Sequence, residues 1–324
     1  MTVPLENLQG GGVLALAPAK VNLFLEILGL RPDGYHEIDT IMQEITLWDE
    51  IEFRRGGSCS PGGIHLEIVD GDGLPSALKP ADDNLVLRAA RLFFEAVGGN
   101  PFTESLEIRL VKRIPMGAGL GGGSSDGALT LLALARLSGI DPGMPELERL
   151  AARLGSDVAF FIHGGTARCR GRGEQITPLG DVLGPEPLHL VLVHPPIHVS
   201  TSLIYRELDR QAGGGVGLTR HPGPDTISPD RLGSALRSGR LLFNRLEGIA
   251  CSAFPALEAY KKEIQNEPFV ATLMSGSGST FYGIARSHGE AEEIAARLRQ
   301  RIRGEVFVAQ SAGGEQRPCG GSPF

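Results

Sequence analysis

The sequence predicts a two-domain α+β fold, and three observations carry that prediction. The chain has 324 residues, 41% of them hydrophobic and 21% charged, which is enough material for two cores. Segments that alternate apolar and polar residues, as half-buried strands do, are interspersed with segments of helical spacing. Near residue 186 a glycine- and proline-rich stretch gives way to a fresh apolar strand, PEPLHLVLVHPP, which sets the boundary between a 1–185 domain and a 186–324 domain.

Residues 14–28, LALAPAKVNLFLEIL, predict a strand with Val21, Leu23, Leu25 and Ile27 on one face and Lys20 and Asn22 on the other. RPDGYHE then predicts a turn, 45–53 a strand, SCSPGG a loop and 64–69 another strand. Helical spacing covers 84–98 and ends on glycine. Residues 106–112, LEIRLVK, alternate as a half-polar strand, unlike the continuous apolar run of a buried parallel one. From Ser125 an apolar helix runs to the Asp141-Pro142 stop, and 145–155 predicts an amphipathic helix capped by Gly155. Residues 211–230 read as a flexible surface excursion and GGEQRPCGGSP at the chain end as a disordered tail.

The net charge of −7 and a pI near 5.7 exclude a diffuse basic surface for nucleic acid or anionic membranes. No apolar run of about 18 residues occurs, and the N-terminus lacks a basic start and an apolar signal core. A cytoplasmic protein is expected, a monomer or homodimer acting on a small molecule. Cys59, Cys169, Cys251 and Cys319 are isolated, without the short paired spacing of zinc or iron–sulfur sites, and read as reduced thiols.

KRIPMGAGLGGGSSD, 112–126, places five glycines between Met116 and Ser124, just ahead of the apolar helix. Glycine at that density carries a large ordering cost, so the loop has a use that side chains would obstruct. A strand, a glycine loop and a helix N-terminus together present backbone N–H groups and a positive dipole end to an anion. A Walker-type loop needs lysine before the serine, where Gly123 stands. Gly117, Gly119 and Gly122 satisfy GxGxxG, but more than 100 residues into the chain and after a half-polar strand. A purely structural glycine loop is the third reading.

The stretch PMGAGLGGGSSDGA resembles the phosphate-binding motif of the GHMP kinases, small-molecule kinases such as galactokinase, homoserine kinase and mevalonate kinase. APAKVNLFLEI resembles that family's first motif and LMSGSGSTFYG, 273–283, its C-terminal glycine motif. PAKVNLFLEILGLRPDGYHEIDTIMQ, LGSDVAFFIHGGTARCRGRGEQI and HPPIHVSTSLIY together resemble the branch that acts on a cytidine diphosphate-linked methylerythritol, from about Ala17 to Val308. The resemblance implies an S5 domain 2-like N-terminal domain, a ferredoxin-like C-terminal domain, and ATP with Mg2+ as cofactors. A homoserine- or mevalonate-type kinase is the alternative.

It also implies roles. Asp157 matches the family's catalytic base; without the resemblance a helix N-cap is an equal reading. Lys20 matches the lysine that orients it, and the two are expected to approach each other. The ATP cradle is Pro115, Met116, Gly117, Ala118, Gly119, Leu120, Gly121, Gly122, Gly123, Ser124 and Ser125, with Asn84 and Lys112 on the adenine side. Asn22, Tyr35, His36, Thr201 and Tyr205 fall on the acceptor, whose cytosine would be stacked between aromatic rings. The metal ligands stay unassigned, and Gly276 and Gly278 are expected to brace the phosphate loop.

Overall fold

The computed structural model describes residues 5–56, 62–71, 81–211 and 221–312. Its elements in chain order are β1 (Leu5–Leu8), β2 (Gly12–Leu30), β3 (His36–Arg55), β4 (Ile64–Asp70), α1 (Leu85–Ala96), β5 (Leu106–Lys112), α2 (Gly122–Ser138), α3 (Met144–Leu154), α4 (Val158–His163), β6 (Thr166–Gly171) and β7 (Gln175–Pro178). They continue with β8 (His189–His194), α5 (Thr201–Gln211), α6 (Pro229–Arg237), β9 (Phe243–Asn244), α7 (Arg245–Ala253), α8 (Pro255–Gln265), β10 (Ala271–Met274), β11 (Phe281–Ala285), α9 (His288–Arg301) and β12 (Glu305–Gln310). Among the described residues no helix is long and apolar enough to cross a membrane.

The long antiparallel hairpin β2–β3 organises the first sheet. The far half of β3 pairs with β5, which carries β4 in parallel, while its near half pairs with β6. The sheet therefore forks around residues 44–49. Helices α1 to α4 pack on this sheet through a core that includes Phe53, Phe93, Leu131 and Phe160. The second sheet, in the order β10-β11-β8-β12, is wholly antiparallel and drawn from residues after 186. A further cluster of Val21, Leu23, Leu120, Leu192 and Tyr282 fills the space between the two sheets.

That second layer changes the reading of the first strand. Lys20 and Asn22 do share a face, and both are buried there: Gly121 of the glycine loop, Gly276 after β10 and Asp157 close in on Lys20, and Thr40 bonds Asn22. The 45–53 strand starts earlier, at His36, so the turn ends at Tyr35. Helix α2 starts at Gly122, three residues before the predicted Ser125. Its two leading glycines are poor helix formers, yet the close approach of Ile114, 2.9 Å from where a Gly122 Cβ would stand, leaves no room for anything larger.

The 211–230 excursion is corrected in its second half. His221 N–H donates to Glu26 Oε2 at 2.9 Å, Arg168 and Arg170 both pair with Asp225, and α6 begins at Pro229. These partners lie more than 50 residues apart in sequence, so local composition gave no hint of them. Residues 212–220, Cys59, Cys319 and the predicted tail lie outside the described residues. Cys169 and Cys251 are free, buried thiols.

Candidate active site

The glycine loop joins β5 to α2 and is clamped from both halves of the chain. The carbonyls of Ala118, Gly119 and Leu120 accept from Thr280 N–H (3.2 Å), Ser275 Oγ (2.9 Å) and Lys20 N–H (2.9 Å). Gly276 packs against Gly119, the bracing role the sequence suggests for the 273–283 motif. With those acceptors occupied, α2 opens on Gly121, which sits at φ 72° and has no side chain to cap the helix. The first amides of a helix have no intrahelical partner, and here Gly121, Gly122, Gly123 and Ser124 form a wall of a cavity of about 370 Å³. Pro115, Met116, Gly117, Ala118 and Gly119 continue that wall, and Asn84 and Lys112 complete it. Leu120 and Ser125 do not line it; both are fully buried behind the loop.

A second cavity, of about 660 Å³, shares Gly117, Gly119 and Gly121 with the first. Lys20 and Asp157 stand on its side of that glycine ridge. Lys20 Nζ lies 2.6 Å from Asn22 Oδ1 and 3.7 Å from Asp157 Oδ2, the approach expected from the sequence. Asn22 is fixed in turn by donating to Thr40 Oγ1 at 2.8 Å. Asp157 occupies the N-cap position of α4 but makes no capping hydrogen bond, so that position alone does not account for its carboxylate. Its side chain is 32% exposed against 3% for Lys20. Burial pushes the Lys20 ammonium below the ordinary lysine value, with the Asp157 carboxylate acting in the opposite direction.

Tyr35, His36, Thr201 and Tyr205 all line this second cavity, as does Asn22. The His36 ring lies 4.8 Å from that of Tyr205, and His36 Nε2 is 2.8 Å from Asp209 Oδ1. Tyr35 is 54% exposed at the mouth. Thr201 opens α5 and its hydroxyl meets that of Ser277 at 2.8 Å, tying the acceptor side to the C-terminal glycine motif. Asp209, Arg172 and Ser277 are cavity residues the sequence analysis did not single out; each is an ordinary surface-type residue until the fold assembles its neighbours.

On the nucleotide side, Asn84 caps α1, its Oδ1 accepting from Val86 N–H at 2.9 Å. Lys112 lies between two buried carboxylates, bonding Asp49 and, at 2.8 Å, Asp126. Asp49 also accepts from the N–H groups of Arg113 and Ile114, so the three side chains tie β3, the loop entry and α2 together. Burial works against the Lys112 charge, but the two carboxylates outweigh it and hold its value up. Burial, with Asp49 adding to it and Lys112 opposing, pushes the Asp126 carboxyl up to about 7. A carboxyl whose folded value exceeds its unfolded one binds a proton preferentially when folded, so its ionisation costs stability as pH rises from about 4 to 7. Asp126→Asn should gain stability relative to the wild type across that window and hold the gain above it. Urea titrations at pH 4.5 and 7.5 check this; a difference between the two proteins that is independent of pH would refute it.

Glycine-loop cradle, shared ridge and lysine–aspartate pair define the class: a small-molecule kinase of the GHMP type, as the family models also find, GHMP kinases N terminal domain matching residues 84–165 and GHMP kinases C terminal matching 227–304. The 4-diphosphocytidyl-2-C-methyl-D-erythritol kinase of Pelotomaculum thermopropionicum is 41% identical over 290 residues, 89% of this chain and 94% of that one, and that of Deinococcus radiodurans is 38% identical, covering 89% of each. A crystal structure of 4-(cytidine 5'-diphospho)-2C-methyl-D-erythritol kinase superposes with a TM-score of 0.74 at 35% identity over 93% of this chain and all of that one. The chain belongs to the 4-diphosphocytidyl-2-C-methyl-D-erythritol kinase family. L. major mevalonate kinase, with a TM-score of 0.68 at 16% identity over 97% of this chain and 99% of that one, shares the fold.

Proposed function

We propose that the protein transfers the γ-phosphoryl group of ATP to the 2-hydroxyl of 4-diphosphocytidyl-2-C-methyl-D-erythritol, as a cytoplasmic enzyme of isoprenoid precursor synthesis. The single observation that carries the mechanism is the glycine ridge common to both cavities, with Lys20 and Asp157 on the second side. Phosphoryl transfer asks the protein chiefly for alignment and charge stabilisation. The amides of 117–124 hold the phosphates; Asp157 receives the proton of the attacking hydroxyl; Lys20 steadies the charge that develops on the oxygens between them. Asn22 keeps the Lys20 ammonium in place. The nucleotide cavity is walled by residues of the proposed 1–185 domain, and the acceptor cavity draws its walls from that domain and the proposed 186–324 domain, a division supported by the second sheet's origin after residue 186.

Magnesium fits this donor set as an ion carried in with ATP. Among the described residues no group of three or more His, Cys, Asp or Glu could hold a metal, and magnesium in kinases takes one or two protein oxygens and completes its shell with phosphates and water. Ser124, on the cavity wall, is the loop hydroxyl available to it. When bound it neutralises charge on the transferring phosphates.

The test is ADP release by the purified protein with ATP and Mg2+, comparing the cytidylyl substrate with mevalonate, homoserine and galactose. Turnover with the first alone is expected; turnover with one of the others instead overturns the acceptor reading. Tyr35→Ala is expected to weaken acceptor binding by about 1–3 kcal/mol, the range for one aromatic stacking partner of a base. Calorimetry with the acceptor checks it, and unchanged affinity would remove Tyr35 from the base site.

A further inference from the structure

The β6–β7 hairpin places Arg172 at its tip, on the wall of the acceptor cavity. Gly171 and Gly173, at φ 75° and 120°, shape the turn, and the Arg172 N–H donates to Glu174 Oε2 at 2.6 Å. A Cβ on Gly173 would stand 3.4 Å from that of Ser156, so the tip is packed beside the residue that precedes Asp157. From there the guanidinium carbon reaches 4.9 Å from the centre of the Tyr35 ring. Its carboxylate neighbours hold it loosely, Glu174 Oε2 lying 4.0 Å from Nε and Asp33 acting through its charge without a hydrogen bond, and its terminal N–H groups have no partner among the described residues.

Resting on the proposed acceptor, we propose that Arg172 is a specificity-determining residue that binds the phosphate chain of the substrate while its plane lies against Tyr35. A nucleobase and a polyol are neutral and give a guanidinium nothing to neutralise; a diphosphate does, and the planar fork of arginine matches its oxygens in a way a lysine cannot. The stack on Tyr35 holds the guanidinium ready and steadies a ring that is otherwise exposed at the cavity mouth. One side chain thereby links recognition of the base to recognition of the phosphates, and places the methylerythritol end toward Lys20 and Asp157.

The experiment measures Arg172→Gln and Arg172→Lys against the wild type, with cytidine and CDP as competitive inhibitors and with KM for the acceptor and for ATP. Arg172→Gln, which keeps a planar end group but no charge, should raise the CDP inhibition constant and the acceptor KM about tenfold or more, the worth of a charge-assisted hydrogen bond. Cytidine inhibition and the KM for ATP should move less than about twofold, and Arg172→Lys should recover part of the loss. Equal weakening of cytidine and CDP would reduce Arg172 to a prop for Tyr35, and no weakening of either would remove it from the site; both overturn the proposal. A wild-type enzyme that neither binds CDP nor turns over the cytidylyl substrate overturns the acceptor reading itself, which is a separate failure.

Discussion

Asp157→Asn is expected to lose activity by a factor of about 10²–10⁴, the usual contribution of a positioned general base, with the KM values for ATP and acceptor changed no more than a few-fold. The substitution keeps the shape of the side chain. It should also leave the fold intact, because the carboxylate makes no capping hydrogen bond to α4 and is one-third exposed. Lys20 retains Asn22 as partner at 2.6 Å but loses the charge that opposes its desolvation, so burial lowers its value further. Any residual activity that depends on the Lys20 ammonium should therefore decline at a lower pH than in the wild type. Steady-state kinetics across pH test both points. Retention of more than a few per cent of turnover with normal binding would remove Asp157 from the role of base.

The local chemistry of this site was legible in sequence, while its long-range packing was not. The glycine loop announces itself because five glycines in seven residues at the start of an apolar helix carry an ordering cost and a loss of helix propensity that only a close backbone approach explains. Lys20 and Asn22 were readable as sharing a face, since strand geometry fixes that at a spacing of two. That the face is buried depends on Gly121, Asp157 and Gly276 arriving from far along the chain, and no pattern within residues 14–28 records it. Asp49 is the sharpest omission. It stands in an otherwise regular strand, ITLWDEIEF, where the adjacent Glu50 and Glu52 are only partly buried. Strand alternation puts Asp49 on the face of the buried Ile51 and Phe53, but its partners there, Lys112 and the N–H groups of Arg113 and Ile114, lie more than 60 residues away and only the fold brings them to it. Lys112 shows the same limit from the other direction: the sequence sets it on the adenine side of the nucleotide, and it does line the first cavity, but nothing local records that two carboxylates already share its charge.

Gly119→Ala should disable the cradle, and the reason separates two effects that glycine substitutions usually mix. At φ 76° an L-residue is strained by roughly 1–2 kcal/mol. The added methyl group would also run into the backbone carbonyl of Ser275, with the carbonyl of Gly278 3.1 Å away, and neither can rotate aside as a flexible side chain would. The loop must then lift off the 275–280 segment, giving up the bonds from Ser275 Oγ to Gly119 and from Thr280 N–H to Ala118 that aim its amides. A displacement of about 1 Å at a transferring group can cost about 10²-fold, so kcat/KM for ATP should fall at least that far. Gly139→Ala supplies the comparison: it has nearly the same backbone, φ 69°, at the C-terminus of α2, but nothing stands within 4 Å of the new methyl. It should carry the strain alone, losing about 1 kcal/mol of stability at unchanged kcat/KM. Equal catalytic behaviour of the two variants would mean that the contact with the 275–280 segment does not hold the loop in its working shape.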